Sequence, residues 1–298
     1  MFNKFREQQF QIYSEARQHF IKNYQQLIEL EEYLSDTIYN LVNNELDNIT
    51  RDFNECSYLF PFWQNYPPDS RGRQPRGDQY PWLEVGEHVF SSKLPRLLAN
   101  FFVIRDVGSP TGADLRLVLS DDKIESITNK YTRFCWLLLD VKSVGPRDDQ
   151  EHTVMSHNQI SGSGEWETLG EGIKNKIMKA RGQRITHDFY CSASPLYILS
   201  DCSICPVVHI VIKPVYGMLT LEDATGDEGQ PLRRITIISI PNGFLLEENP
   251  NYLKNYPSLF FPGKDDKTKN PLKVRCRVSF SILNTIASWR VRDINVPR

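Results

Sequence analysis

The sequence predicts an α/β fold in which a mixed β-sheet is flanked by helices. Apolar residues recur at helical spacing through about the first 50 positions. Farther along, several short apolar runs have the length of strands, and turn residues separate them. The six consecutive apolar residues at 134–139 are typical of a strand that is covered on both faces. The 298 residues suit one large domain with appended elements.

The N-terminal 50 residues are predicted to form a long helix followed by a shorter one. The apolar stripe consists of Phe10, Tyr13, Phe20, Tyr24, Leu27, Leu30 and Leu34. Ser35 and Asp36 offer a break and a new N-cap. We expect these helices to pack on the sheet or to contribute to a dimer, although an amphipathic stripe by itself indicates no more than one buried face.

The segment 61–81 is predicted to be a loop, because it is rich in Pro, Gly and aromatic residues. Its arginines, Arg71, Arg73 and Arg76, could bind phosphate groups, or they could be solvated side chains of a structural loop. A helix is expected to follow from Glu84 towards Leu98.

Two acidic residues and a lysine stand at predicted strand ends. Asp114 follows a turn rich in Gly and Pro and precedes a short strand at 115–119. Asp140 and Lys142 follow the buried run, and strand alternation puts both on one side. Two carboxylates from neighbouring strands can hold Mg²⁺, and Lys142 could orient water or offset charge on a phosphate. The alternative is a structural ion pair at a sheet edge.

After this strand, the sequence predicts further turns, a helix and three strands. Residues 145–148 form a turn whose Asp148 could accept a hydrogen bond from a base amino group, and Ser161-Gly-Ser-Gly164 is typical of a loop. A helix is expected at 165–180. The strands are expected at 196–199, 207–212 and 235–240.

A zinc site at Cys202 and Cys205 is disfavoured, although Cys191 and His209 are close in sequence. One CxxC pair without a second pair is weak, and a redox role would need a reactive helix N-terminus. His209 instead lies in a buried strand, where we expect it to pack and to form a hydrogen bond.

Near the C-terminus, a polar loop leads into an alternating strand. Lys273, Arg275 and Arg277 alternate with apolar residues and therefore share one face. Such a basic ribbon fits the DNA major groove, and Lys264 and Asp266 lie nearby in sequence. The alternative is an edge strand whose charges prevent sheet extension.

The charge distribution favours a basic DNA-facing region, although the formal net charge is −2. Residues 1–56 carry five basic and ten acidic residues, whereas residues 264–298 carry nine basic residues and three Asp. There is no apolar run of about 18 residues, which argues against a membrane span. The N-terminus lacks the pattern of a secretory signal, so we expect a cytoplasmic protein with reduced cysteines.

Six sequence blocks, distributed in order over nearly the whole chain, resemble the BglI family of type II restriction endonucleases. They are PFWQNYPP at 61–68, RGRQPRGDQ at 71–79, WLEVGE at 82–87, DVKSVGPRD at 140–148, PLYILSD at 195–201 and PGKDD at 262–266. The resemblance implies a PD-(D/E)xK nuclease core with added N-terminal helices and a C-terminal DNA-reading β segment. Ala113 stands where the motif's name has proline, which removes no chemical group.

The resemblance also assigns roles to residues. It implies catalysis by Asp114, Asp140 and Lys142, and metal binding by Asp114, Asp140, the Val141 backbone carbonyl and Glu87. It implies base reading by Asp148, Lys264, Asp266, Arg275 and Arg277, and phosphate contacts by Arg71, Arg73 and Arg76. The chain would divide into a helical part (1–50), a catalytic core (82–215) and a basic DNA-reading segment (260–298).

The function that this resemblance implies is Mg²⁺-dependent cleavage of double-stranded DNA by a homodimer, with Mn²⁺ as a substitute metal. The implied site is GCCNNNNNGGC, with 5′-phosphate and 3′-hydroxyl ends, and a cognate DNA methyltransferase would belong to the same system without binding the enzyme. The G·C preference has independent support, because arginine and lysine match guanine acceptors and carboxylates match the cytosine amino group. The alternatives are a repair or junction nuclease on the same scaffold and a non-catalytic DNA-binding regulator.

Overall fold

The computed structural model describes residues 2–58, 82–107, 113–145, 148–155, 178–179, 189–191, 193–217, 232–263, 267–269 and 274–297. The helices among them are α1 Phe2–Lys22, α2 Tyr24–Asn44, α3 Leu46–Tyr58, α4 Trp82–Leu98, α5 Asp122–Ile127, α6 Gly243–Glu247, α7 Tyr252–Asn255 and α8 Phe280–Ile286, with a 3-10 turn at Ser288–Arg290. The strands are β1 Val103–Asp106, β2 Leu115–Ser120, β3 Phe134–Val141, β4 His152–Met155, β5 Met178–Lys179, β6 Tyr190–Cys191, β7 Leu196–Ile198, β8 Ile204–Tyr216, β9 Leu232–Ile240, β10 Phe260–Pro262, β11 Cys276–Ser279 and β12 Val291–Asn295.

The large sheet is mixed, as the sequence predicts. Its strand order is β1-β2-β3-β8-β9-β12, and β7 pairs with β8. β3 and β8 run parallel, whereas the other pairs in this sheet are antiparallel. The strands expected around 115–119, 134–139, 196–199, 207–212 and 235–240 are therefore confirmed.

The two faces of β3 have different surroundings. Leu137, Leu139 and Val141 pack into the main core, which also contains the apolar stripe of α2 and side chains of α4. Trp136 and Leu138 belong to a second apolar cluster on the opposite face. Because side chains alternate along a strand, Asp140 projects on the face of Trp136 and Leu138, away from the main core.

The prediction of a helix break at Ser35-Asp36 is wrong. The described N-terminal segment contains three helices, which separate at Asn23 and Glu45, so Ser35 lies inside α2. Ser35 is buried there, and its hydroxyl accepts a hydrogen bond from Arg292 at 3.1 Å. The Ser35 hydroxyl thus binds an arginine that is distant in sequence and does not cap a helix. The expectation that these helices pack on the sheet is confirmed for α2, whose Leu34 lies in the main core with Ile210.

Part of the basic C-terminal charge is neutralised by the same helix. Arg290 and Glu31 form a buried ion pair at 2.7 Å, and Arg292 lies 2.7 Å from Asp36. Glu31 also accepts the backbone N–H of Asn242 at 2.5 Å. These two arginines therefore hold the C-terminal segment against α2, where β12 joins the large sheet.

A second, smaller sheet carries the predicted basic strand in its centre. Its order is β10-β11-β4, so the alternative interpretation of an edge strand is wrong for β11. Val274, Cys276 and Val278 are buried, whereas Arg275 is exposed and Arg277 partly exposed, as alternation predicts. Lys273 lies outside the described residues.

The helix predicted at 165–180 is contradicted at its end, because Met178–Lys179 pairs with Tyr190–Cys191 as a strand. The rest of that helix, the Ser161-Gly-Ser-Gly164 loop and the loop at 61–81 lie outside the described residues. Within the described part of the chain, no helix is both long enough and apolar enough to cross a membrane.

His209 packs in the sheet interior, which confirms the expectation from the sequence. It is fully buried in β8, and its Nε2 atom donates to the Ser194 carbonyl oxygen at 3.0 Å. Burial lowers the pKa of His209 to about 4 and raises that of the buried Cys205 thiol to about 12. Cys205 thus sits in surroundings that disfavour its reactive thiolate form.

We expect acid destabilisation from His209. Between the ordinary histidine pKa of about 6.5 and the folded value of about 4, the unfolded chain binds a proton that the folded chain does not. Stability is therefore retained above pH 6.5 and falls as pH decreases towards 4, by roughly 3 kcal/mol from this group. Urea unfolding as a function of pH should show a flatter acid limb in His209→Gln than in the exposed control His88→Gln. Equal slopes in these two variants would contradict the prediction.

Candidate active site

Strand pairing brings the two predicted acids together. Leu115 on β2 lies opposite Leu139 on β3 in an antiparallel register, so the next positions, Asp114 and Asp140, lie side by side. The Asp114 carboxylate accepts a hydrogen bond from the Val141 N–H at 2.6 Å. Asp114 is thereby fixed against the end of β3.

Asp140 is a buried carboxylate, with 1% of its surface exposed. The Lys142 ammonium lies 2.5 Å from Oδ2, while Oδ1 has no hydrogen-bond donor among the described residues. Burial raises the pKa of Asp140 to about 7; Lys142 opposes this shift and Asp114 adds to it. The ionised form of this carboxylate would therefore be stabilised by a further cation beside the oxygen that has no donor in the described part of the chain.

This donor set fits a hard divalent cation. Asp114 and Asp140 supply oxygen atoms from neighbouring strands, and one oxygen of Asp140 is buried without a donor. The N–H and C=O of one residue in an extended strand point to the same side, so the Val141 carbonyl faces β2 and Asp114 as its N–H does. The interpretation as a plain ion pair at a sheet edge is also inconsistent with the position of β3, which lies between β2 and β8.

Glu87 lies on α4, whose first turns approach the end of β3. An added Cβ at Gly86 would lie 2.2 Å from the Ser143 Oγ, so the helix backbone is close to the residue after Lys142. Glu87 itself is exposed. In the described ranges, no group of three or more His, Cys, Asp or Glu side chains is close enough to hold a metal together, so Glu87 does not join the two Asp residues in this conformation.

Gly86→Ala should reduce both stability and cleavage. The new methyl group would lie 2.9 Å from the Pro214 ring atom Cγ as well as against the Ser143 hydroxyl, so the Ser143 side chain, the Pro214 ring or α4 itself must move at the catalytic strand end. Overpacking of this kind costs about 1–3 kcal/mol, whereas Gly to Ala in an uncrowded helix stabilises by up to about 1 kcal/mol. Thermal unfolding and cleavage assays would measure the change.

The double variant Gly86→Ala with Ser143→Ala provides the control for this clash. Removing the Ser143 hydroxyl relieves the shorter contact, so stability should recover in part. A Gly86→Ala protein that is more stable than the parent would show that no close approach exists.

The predicted base-reading residues are placed as follows. Asp148 is exposed, and its carboxylate accepts the Gly145 N–H at 2.7 Å; residues 146–147 of the predicted turn lie outside the described residues. Arg277 projects from β11 and donates to Asp149 Oδ2 at 2.7 Å, and Arg275 is exposed just before β11. The other predicted contact residues lie outside the described residues: Lys264, Asp266, Arg71, Arg73 and Arg76.

Lys213 and Asp149 are polar residues of this region that the sequence did not single out. Lys213 is buried in β8 and donates to the backbone carbonyls of Asp149 and His152. A signal was present, because Lys213 directly follows the apolar run at 207–212. A lysine inside a buried strand requires a partner for its ammonium group.

Comparisons with known proteins agree along the whole chain. The family model for the restriction endonuclease BglI matches residues 8–294. The type II restriction enzyme BglI of Bacillus subtilis is 42% identical over 302 residues, covering 100% of both sequences. The crystal structure of the restriction endonuclease BglI bound to its DNA recognition sequence matches with a TM-score of 0.87 at 41% identity, covering 100% of both chains.

A more distant solved structure shares the fold. The tetrameric restriction endonuclease SfiI bound to cognate DNA matches with a TM-score of 0.59 at 13% identity, over 90% of this chain and 84% of that chain. At this identity, the likeness concerns the fold alone.

The fold, the paired acids and the full-length similarity define a type II restriction endonuclease, an enzyme that cleaves DNA at specific sequences. Such enzymes depend on a divalent metal ion, which agrees with the oxygen donors at the ends of β2 and β3. Within this class, the chain belongs to the BglI family. The resemblance of the six sequence blocks is thereby confirmed.

Proposed function

We propose that this enzyme is a homodimer that uses Mg²⁺ to hydrolyse both strands of double-stranded DNA at GCCNNNNNGGC, leaving 5′-phosphate and 3′-hydroxyl ends. The observation that carries the proposal is the juxtaposition of Asp114, Asp140 and Lys142, in which one buried oxygen of Asp140 has no donor among the described residues. The expected setting is the cytoplasm, with a methyltransferase of the same specificity that protects the host DNA.

The residues at the site divide the chemical work. Asp114, Asp140 and the Val141 carbonyl would hold Mg²⁺, which prefers oxygen ligands and leaves positions for water and phosphate. When bound, Mg²⁺ would polarise the scissile phosphate and stabilise its developing negative charge. The Lys142 ammonium is partly exposed, so it can reach the DNA side of the site. There it would donate a hydrogen bond to the attacking water and offset charge on the phosphorus oxygens.

Two features support the proposed recognition site: the similarity to BglI and the chemistry of the proposed base-reading residues. BglI was crystallised with its DNA recognition sequence, and the similarity over the full length of both chains supports sequence-specific DNA binding here. Two identical subunits present identical side chains to inverted half-sites. Arginine suits guanine and carboxylate suits cytosine, so Arg277 and Asp148 support G·C half-sites.

The decisive experiment is digestion of a randomised DNA library with the purified enzyme. We expect cuts at GCCNNNNNGGC in Mg²⁺ and in Mn²⁺, and none with a chelator, because the ligands are oxygen atoms. Sequencing of the ends and their ligation would identify 5′-phosphates. Cuts at half-sites rich in A·T pairs would overturn the proposed site, whereas sequence-independent or junction-specific cutting would overturn the proposed restriction activity.

The proposed assembly has a separate test. Size-exclusion chromatography with light scattering should give the mass of two chains of 34.6 kDa. A monomer that cleaves both strands in one binding event would overturn the dimer, and a tetramer, the state in which SfiI was crystallised, would do so as well.

A further inference from the structure

A second lysine lies beside the proposed catalytic lysine. β3 and β8 pair in parallel up to Val141 and Ile212, and the hydrogen bond from the Lys142 N–H to the Ile212 carbonyl, 2.8 Å, continues the ladder. The register therefore puts Lys213 opposite Lys142. Because Asp140 lies opposite Val211, strand alternation also puts Lys213 on the face of the sheet that carries Asp140.

The Lys213 ammonium is buried but does not contact the paired acids. Lys213 is 2% exposed, and its Nζ donates to the Asp149 carbonyl and, at 2.5 Å, to the His152 carbonyl. Burial lowers the pKa of Lys213 to about 8, although the charge of Asp149 opposes the shift. Burying an ammonium group costs several kcal/mol, and an apolar residue at such a site is often at least as stabilising. Stability alone therefore does not explain a lysine here.

The two carbonyls belong to the segment that leads from Asp148 into β4. In this segment, the Asp149 carboxylate accepts from Arg277 at 2.7 Å and lies 2.9 Å from His152 Nδ1. β4 in turn pairs with β11, where Arg277 lies opposite Val154. Lys213 on the large sheet thus binds the backbone of Asp149, and the carboxylate of the same Asp149 binds Arg277 of the smaller sheet.

We propose that Lys213 is a positioning residue that couples base recognition to cleavage, by fixing the 149–152 backbone against the catalytic sheet. This proposal rests on the proposed base-reading roles of Asp148 and Arg277. Lys213 contacts neither DNA nor metal. Its ammonium fixes the positions of Asp148 and Arg277 relative to Lys142. When these two residues contact the correct bases, the scissile phosphate therefore lies at the metal site.

The test replaces the ammonium with a neutral group on a side chain that is one atom shorter. Lys213→Met removes the donor, whereas Lys213→Gln keeps an N–H₂ donor without charge. Cleavage is measured as kcat and KM on the cognate duplex and on duplexes with one changed base pair. We expect Lys213→Met to lower cognate kcat and the cognate-to-altered ratio of kcat/KM at least tenfold each, with little change in KM. Lys213→Gln should lie between Lys213→Met and the parent enzyme.

Ile238→Val is the matched control. Ile238 lies opposite Val211 in the buried cluster of the same sheet face, so its truncation loosens packing without removing a hydrogen bond. Thermal unfolding identifies conditions at which both variants are folded. A merely structural lysine would behave like this control, with a lower Tm and unchanged discrimination.

A folded Lys213→Met enzyme that discriminates like the parent would overturn the proposal. If that variant does not fold, Lys213→Gln and Asp149→Asn decide, and unchanged kcat and discrimination in both would overturn it. Discrimination is measured at whichever site the parent enzyme cuts. A wrong assignment of GCCNNNNNGGC would therefore appear in the parent's cleavage map and would leave this test intact.

Discussion

Asp140→Asn should reduce the rate of DNA cleavage in Mg²⁺ by about a thousandfold or more. The substitution keeps the size of the side chain and removes the negative charge that would hold the metal. Metal stabilisation of several kcal/mol corresponds to roughly three powers of ten in rate. Specific DNA binding in Ca²⁺, measured by gel shift, should remain within a few-fold of the parent, because the substitution leaves the proposed base-reading residues unchanged.

Thermal unfolding provides an independent readout of the same site. Asp140 is 1% exposed, and burial outweighs the ion pair with Lys142 in raising its pKa, so a neutral amide should not lower the Tm of the metal-free protein. Mg²⁺ should raise the Tm of the parent enzyme by mass action and should not raise that of Asp140→Asn. A lost metal response alongside a preserved Tm separates metal binding from folding.

The control is Asp47→Asn, an exposed carboxylate on α3. It changes the net charge equally and should leave cleavage and the metal response unchanged. If Asp140→Asn cut DNA at a rate near that of the parent enzyme, the assignment of the metal site to Asp140 would be wrong.

The elements that surround the site could be predicted because their signals are local. The apolar run before Asp140 is long enough to indicate a buried strand, and alternation is sufficient to place Asp140 and Lys142 on one side. The register of β2 against β3 was not predictable from periodicity. It is this register that brings Asp114 within 2.6 Å of the Val141 N–H.

The features that the sequence did not predict depend on contacts between distant parts of the chain. Ser35 has the chemistry of a helix cap, but it contacts Arg292, 257 positions away. Arg290 looked like part of a basic surface, but Glu31 neutralises it in the interior. Lys213 binds carbonyls 61 and 64 positions earlier in the chain. Propensity and periodicity carry no information about such partners, because tertiary packing selects them.

The position of β11 is a further long-range result with a functional consequence. Flanked by β10 and β4, the strand is held on both sides, so its exposed face is rigid. His152 and Phe261 pack edge to face on this small sheet at 4.9 Å. A rigid, partly exposed basic face is suited to reading base edges, because each side chain is placed by the sheet rather than by a loop.

Arg277→Ala should lower the discrimination between the cognate site and a site with one changed G·C pair by about 1–3 kcal/mol, or roughly fivefold to 150-fold. Arg277 donates to Asp149 at 2.7 Å, which orients its guanidinium. A guanidinium has five N–H donors, so this contact leaves donors for the O6 and N7 atoms of guanine. Arg277→Lys should restore little of the loss, because an ammonium cannot form the same planar pair of hydrogen bonds.

The measurement is kcat/KM on a set of duplexes in which each pair of the two G·C triplets is changed in turn. The loss for Arg277→Ala should concentrate at one position of each half-site, since two symmetric subunits present the same side chain. Arg51→Ala on α3, whose side chain is 64% exposed, is the control and should leave every ratio unchanged. A phosphate contact behaves differently: its loss weakens binding to all sequences alike and reduces the salt dependence. If Arg277→Ala produced that uniform pattern, Arg277 would be a phosphate-binding residue, and its proposed role in reading guanine would be wrong.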